Sequence, residues 1–122
     1  MISEDNKIMN EQSEVHKRMR AYAELCDELH IVVLGVEHDV QHSYKNLFLY
    51  SLSGNKMLQR VKAYGSARSI AAHHSIDIVT AQSPDELGLI AFMVTRSSRA
   101  RLQLQVHTDI MSPWYRRAGV VP

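Results

Sequence analysis

A chain of 122 residues has the length of one domain, because domains typically run about 100 to 150 residues. We therefore treat 1–122 as a single domain, which is too short for a two-domain enzyme. Apolar residues make up 45% and charged residues 22%, a balance that predicts a packed core rather than a disordered tail. Fourteen basic and thirteen acidic residues leave a net charge of +1, which argues against nucleic acid as a partner.

The compartment is predicted from what the sequence lacks. The single cysteine, Cys26, cannot form an internal disulfide, and residues 1–5 lack the basic and then apolar pattern of a secretory signal. The longest apolar run without glycine, Leu89 to Val94, is far shorter than the roughly 20 residues that cross a bilayer. These features predict a cytoplasmic chain without a membrane span.

The first half of the chain predicts one helix and two strands. Ser13 as N-cap begins an amphipathic helix that runs to Glu28. Its apolar stripe consists of Val15, Met19, Tyr22 and Cys26, which makes the cysteine a core residue rather than a nucleophile. A buried parallel strand then spans Leu29 to Leu34, and a polar loop, 37–46, leads to a shorter strand at 47–50 whose pairing direction is open.

The second half predicts two helices and two strands. A helix from Lys56 to His74, with an apolar stripe of Met57, Val61, Tyr64 and Ala71, is followed by a strand at 76–80. Ser83 as N-cap, with proline next and a capping-box glutamate, begins the third helix. Its core face consists of Leu87, Ile90, Ala91 and Val94, widened by Leu89, Phe92 and Met93. The alternating segment 101–107 predicts a strand near the sheet edge.

Strands that alternate with helices predict an α/β fold with a doubly wound, mainly parallel sheet. Ligands of such sheets gather at the carboxyl ends of the strands. The segments expected there are the loop before Ser13 and the residues 35–37, 81–83 and 107–109. They define one predicted cleft.

Two parts of this cleft are candidates for chemistry. His107 ends a strand before Thr108 and Asp109, so its imidazole can hydrogen-bond a hydroxyl or phosphate group, although a surface histidine or one held by structural hydrogen bonds fits the pattern better. Gln82 and Ser83 stand where a helix start points free N–H groups at the same edge, with a plain N-cap as the equal alternative.

A metal site is the weaker interpretation of the remaining histidines. His38 and His42 lie beside two carboxylates, and His73 and His74 are adjacent, but zinc sites need three or four ligands on a defined framework, and solvated histidines are favoured. The basic turn around Arg99 and the aromatic and basic segment 114–117 can contact an anionic lipid surface or a phosphate group, although a solvated face is favoured there too.

Three segments carry a resemblance to a known family: NEQSEVHKRM at 10–19, DIVTAQSP at 77–84 and LQLQVHTDIMSP at 102–113. Together they resemble the N-terminal domain of retaining glycosyltransferases of family four, the group-one type that builds surface polysaccharides. The likeness extends from Ile2 to Arg117 and is most specific in the third segment.

The resemblance implies a GT-B architecture, in which two Rossmann-like domains face each other, the first holding mainly the acceptor and the second the nucleotide sugar. It implies a place near the reaction centre for His107 and substrate-binding roles for Asn10, Gln12, Ser13, Gln82, Ser83, Thr108 and Asp109. This sequence departs from the family in having no glycine at 10–13 and serine rather than aspartate at position 83. Only Met1-Ile2 matches the family's central first strand, and the donor-binding domain with its paired glutamates is missing.

The leading hypothesis is therefore the acceptor-side half of a nucleotide-sugar-dependent glycosyltransferase, incomplete at both ends and inactive without a donor-binding domain or second chain. We expect no tightly bound cofactor, a nucleotide sugar as donor, and an acceptor glycan or lipid-linked sugar at the inner face of the membrane. The alternative is a non-catalytic Rossmann-like binding or interaction module that self-associates.

Overall fold

The buried apolar run forms strand β2 (Leu29–Leu34), which lies inside a six-stranded sheet over residues 1–106, the part of the chain that the computed structural model describes. The other strands of the described chain are β1 (Ile2–Ser3), β3 (Val40–Tyr44), β4 (Leu47–Leu52), β5 (Ile78–Ala81) and β6 (Arg101–Leu104). Their order is β3-β4-β2-β1-β5-β6, and all neighbours are parallel except β3 and β4. The predicted α/β class is confirmed, and β6 lies at the edge as predicted.

Three helices cover the two faces of this sheet: α1 (Glu14–Ala23), α2 (Lys56–His73) and α3 (Glu86–Arg96). Met19 and Ala23 of α1 pack with odd-numbered residues of β2, such as Ile31. The helices α2 and α3 pack on the opposite face, against even-numbered residues such as Val32. Two cores therefore lie on either side of one sheet, which gives the described chain three layers with the sheet in the middle.

The central strand β1 contains only two residues. Ile2 pairs with Val32 of β2 on one side and with Ala81 of β5 on the other. The side chain of Ile2 is 1% exposed. The short first strand expected from the sequence is thus present, one residue further along than Met1-Ile2, and it joins the two halves of the sheet.

The polar segment 37–46 is not the loop that the sequence predicted. It contains the edge strand β3, which forms an antiparallel hairpin with β4 through Lys45 and Asn46. Lys45 adopts a positive φ of 56°, the left-handed conformation that tight hairpin turns require. The same structure settles the pairing of β4, which is parallel to β2.

The first helix is shorter than predicted. Ser13 is its N-cap, as predicted, and accepts a hydrogen bond from the backbone N–H of His16. It ends at Ala23, where the side chain of Asn46 donates a hydrogen bond of 2.6 Å to the Ala23 carbonyl. Cys26 therefore lies in the turn after the helix and is exposed, so its predicted place in the core is wrong.

The other two helices have the predicted positions but different faces or caps. In α2 the buried residues are Ala63 and Ala67, whereas the predicted stripe residue Met57 is 78% exposed. The N-cap of α3 is Asp85 rather than Ser83, because the carboxylate accepts from the Leu87 backbone. The predicted core face of α3 is buried, whereas the predicted extension of that face is exposed, namely Leu89, Phe92 and Met93.

Candidate functional site

The carboxyl ends of β1 and β5 mark the point where the chain leaves the sheet in opposite directions. After β1 the chain passes to α1 on one face, and after β5 it passes to α3 on the other face. Loops that diverge from neighbouring parallel strands leave a crevice between them, which is the usual ligand site of open α/β sheets. The structure therefore places the candidate site at this edge, where the sequence predicted a cleft.

Gln82 is fixed at the centre of this edge. Its backbone N–H donates to the Ile2 carbonyl at 3.1 Å, and its side-chain oxygen accepts from the Ser3 hydroxyl. The Ser3 hydroxyl in turn accepts from the backbone N–H of Asp5 at 3.0 Å. Gln82 thus ties the end of β5 to the start of the loop after β1.

A cleft of about 490 Å³ lies beside this glutamine and against α1. It is lined by Met1, Asp5, Arg18, Met19, Tyr22, Gln82 and Gln105. A carboxylate, a guanidinium and two side-chain amides give it both hydrogen-bond donors and acceptors, although the Gln82 amide already bonds to Ser3 and to the Met1 sulfur. The cleft is suited to a small ligand that carries several hydroxyl groups or a phosphate.

The other predicted site residues of the described chain form hydrogen bonds to residues that are close in sequence. The Asn10 side chain accepts from the backbone of Gln12 at 3.0 Å, and Ser13 caps α1 and donates to the Lys7 carbonyl at 2.6 Å. The Ser83 hydroxyl donates to the Asp85 carboxylate at 2.6 Å.

Among the described residues, no hydrogen bond joins the 10–13 segment to Gln82 or Ser83. His107, Thr108 and Asp109 lie outside the described residues, as does the 114–117 segment.

A second cluster, at the opposite edge of the sheet, was not predicted from the sequence. Glu28 immediately precedes β2 and His30 lies within it, so both side chains point to the α2 face. His74 caps the end of α2 above them. One oxygen of the Glu28 carboxylate, Oε2, accepts from His30 Nε2 at 2.9 Å and from His74 Nδ1 at 3.1 Å.

The surroundings of this cluster hold His30 in one orientation. Its ring stacks on Phe48 with centroids 4.7 Å apart, and its second nitrogen, Nδ1, lies 2.9 Å from the hydroxyl of Tyr50. Burial lowers the pKa of His30, while the hydrogen bond from His30 lowers the pKa of Glu28. A neutral imidazole therefore faces a charged carboxylate.

The cluster also borders an open pocket. This pocket, of about 730 Å³, lies between the amino ends of the strands and the end of α2 and includes all three side chains in its lining. His30 is 4% exposed, whereas Glu28 and His74 are 44% and 37% exposed. Solvent and small solutes therefore reach one side of the cluster.

Only one of the histidines weighed as metal ligands belongs to this cluster. His38 and His42 are exposed, and the nearby Asp39 carboxylate binds Lys62 at 2.8 Å. His73 lies at the end of α2 with its Nδ1 2.8 Å from the Ser69 carbonyl. The signal that could have pointed to the cluster is the spacing of Glu28 and His30, two residues apart at a strand start, which places both on one face.

Comparison of the chain with protein-family models, curated proteins and solved structures finds no significant match. Within the described residues, no helix is both long and apolar enough to cross a bilayer.

Proposed function

We propose that this chain is the acceptor-side half of a retaining, nucleotide-sugar-dependent glycosyltransferase of family four, with a GT-B architecture. It acts in polysaccharide or glycolipid synthesis at the cytoplasmic face of a membrane. The donor sugar is held by a second domain or a second chain, and the present chain contributes the wall that binds the acceptor glycan or lipid-linked sugar.

The strand order supports a Rossmann-like half. When the antiparallel edge strand β3 is set aside, the order β4-β2-β1-β5-β6 follows the pattern in which the first strand is central and later strands are added on both sides. The helix α1, which connects β1 to β2, packs on one face of the sheet, and α2 and α3 pack on the other face. This arrangement agrees with a doubly wound sheet.

The observation that carries the proposal is the polar cleft at the strand-order reversal. Acceptor sugars present many hydroxyl groups, which Asp5, Gln82 and Gln105 can bind as acceptors or donors. A lipid-linked sugar also carries phosphate, for which the guanidinium of Arg18 is a suitable partner. The cleft therefore has the donor and acceptor groups that acceptor recognition needs.

In the complete enzyme, His107 assists the departure of the nucleotide diphosphate by hydrogen bonding and charge. Gln82, Ser83, Thr108 and Asp109 shape the cleft, and the loop with Asn10, Gln12 and Ser13 borders it.

The test is a nuclear magnetic resonance titration of the chain with monosaccharides and short-chain lipid-phosphate sugars. We expect an acceptor to shift the side-chain amide signals of Gln82 and Gln105. Gln105→Leu should weaken binding by about 2- to 10-fold, the effect of one lost hydrogen bond. The matched control is Gln41→Leu on the exposed strand β3, which should bind normally. Equal affinity in both variants, or shifts confined to other regions, would refute the proposal.

A second candidate function is a self-associating interaction module. The observation that favours it is the apolar surface of α3, where Leu89 is 59% exposed, Phe92 46% and Met93 43%. Analytical ultracentrifugation distinguishes the two: concentration-dependent dimers that Phe92→Ser abolishes, together with no sugar binding, favour the module. A monomer that binds acceptor sugars favours the glycosyltransferase half.

A further inference from the structure

We propose that Glu28, His30 and His74 bind one Zn²⁺ ion, each through a single atom, and leave a fourth coordination position open to the adjoining pocket. Two imidazoles and one carboxylate are a ligand set that zinc accepts in sites that keep a water molecule or substrate as fourth ligand. The potential ligand atoms of the three side chains all lie within 4.8 Å of one another.

Two of the three separations between ligand atoms are already close to those of a tetrahedral site. Zinc bonds to nitrogen and oxygen of about 2.0–2.1 Å place neighbouring ligand atoms roughly 3.3 Å apart. Glu28 Oε2 lies 2.9 Å from His30 Nε2 and 3.1 Å from His74 Nδ1. These two separations fall only slightly short of the required ones, and the two imidazole nitrogens lie within 4.8 Å of each other, so the exposed side chains of Glu28 and His74 must rotate to admit an ion.

The groups behind His30 fit a metal ligand as well. When Nε2 binds zinc, the proton of the neutral ring resides on Nδ1, which then donates to the Tyr50 hydroxyl 2.9 Å away. Such an outer hydrogen bond fixes the tautomer and ring orientation of ligating histidines. The stacked Phe48 ring restricts the imidazole further. Tyr50 is therefore assigned as a positioning residue of the site.

The ligand chemistry selects zinc over the hard cations. Mg²⁺ and Ca²⁺ prefer shells made of oxygen, whereas imidazole nitrogen suits zinc and its neighbours in the transition series. The partly exposed carboxylate and His74 leave the ion reachable from the pocket. We therefore expect one ion per chain, bound with an exchangeable fourth ligand.

Isothermal titration with zinc chloride, after removal of metals with a chelator, tests the site. The unmodified chain should bind one Zn²⁺ that Mg²⁺ does not displace. Glu28→Gln and His74→Ala should each weaken binding by at least about tenfold, and Tyr50→Phe by about 10- to 100-fold. The matched controls His73→Ala and His42→Ala should bind as the unmodified chain does. A Co²⁺-loaded sample adds a readout of coordination geometry through its visible absorption.

The proposal is overturned by the absence of saturable Zn²⁺ binding by the unmodified chain, or by binding that survives both Glu28→Gln and His74→Ala. Loss of binding in a control variant instead would assign the ion to other histidines and overturn it equally. Far-ultraviolet circular dichroism confirms that each variant is folded. Glu28→Gln keeps the size and most hydrogen bonds of the side chain, so it remains decisive where an alanine variant unfolds.

Discussion

Replacing Ile2 with alanine tests whether two residues hold the sheet together. Ile2 is 1% exposed, and the described structure joins β2 to β5 only through the strand that contains it. The substitution removes three buried carbons at about 0.8 kcal/mol each, or roughly 2.4 kcal/mol before the cavity is counted. We therefore expect a loss of about 3 kcal/mol, within the roughly 2–5 kcal/mol typical of such core truncations.

Urea unfolding followed by circular dichroism measures this loss. With a denaturant slope of about 1–3 kcal/mol per molar, the midpoint should fall by about 1–3 M. The matched control is Ile78→Ala, because Ile78 is also in a strand but 55% exposed, and it should cost about 1 kcal/mol or less. Equal midpoints for Ile2→Ala and the unmodified chain would refute the central position of β1.

Four further substitutions test local features of the fold. Gly65→Ala within α2 should stabilise the chain by about 0.5–1 kcal/mol, because nothing lies within 4 Å of the added carbon, whereas Gly54→Ala, at φ +112°, should destabilise it by more than about 1 kcal/mol in thermal unfolding. Asp85→Ala should cost about 0.5–2 kcal/mol by removing the N-cap of α3, which urea unfolding measures. The hydrogen bond from Lys62 is the main reason that the pKa of Asp39 falls from 3.8 to about 2, so Lys62→Met should raise that pKa in a carboxyl-carbon NMR titration. The stabilisation from this low pKa is present above pH 3.8 and is lost as the pH falls toward 2, so the variant should lose less stability over that range.

The elements that the sequence predicts well are those whose pattern follows from burial alone. The run 29–34 is apolar except for His30, because helices cover both of its faces. The four core residues of α3 recur at helical spacing because one stripe of that helix faces the sheet.

The errors arise where distant residues decide the structure. The strand β3 lies at an edge with nearly all its side chains exposed, so no hydrophobic alternation marks it. The end of α1 depends on Asn46, whose side chain binds the carbonyls of Ala23, Cys26 and Asp27 from more than 18 residues away. At the start of α3 the sequence offers two capping residues, Ser83 and Asp85. The Asp85 carboxylate accepts a hydrogen bond from the Leu87 backbone N–H, and the Ser83 hydroxyl donates to the same carboxylate.

The candidate sites also combine features that a local sequence pattern predicts with features that depend on distant residues. The edge that holds Gln82 follows from the alternation of strands and helices, so the cleft was predictable although its lining residues Asp5, Arg18 and Gln105 were not. The Glu28 cluster needs His74, which is 46 residues further along the chain and reaches it only because α2 ends there. No local sequence pattern predicts that His74 lies next to Glu28.

The central claim is that this chain binds the acceptor and that a second domain or chain binds the donor sugar. Calorimetric titration of the chain with acceptor sugars and then with nucleotide sugars tests this claim most directly. The account predicts saturable binding of an acceptor sugar, weakened by Gln105→Leu, and no measurable binding of uridine or guanosine nucleotide sugars. Tight binding of a nucleotide sugar by this chain, without acceptor binding, would contradict it.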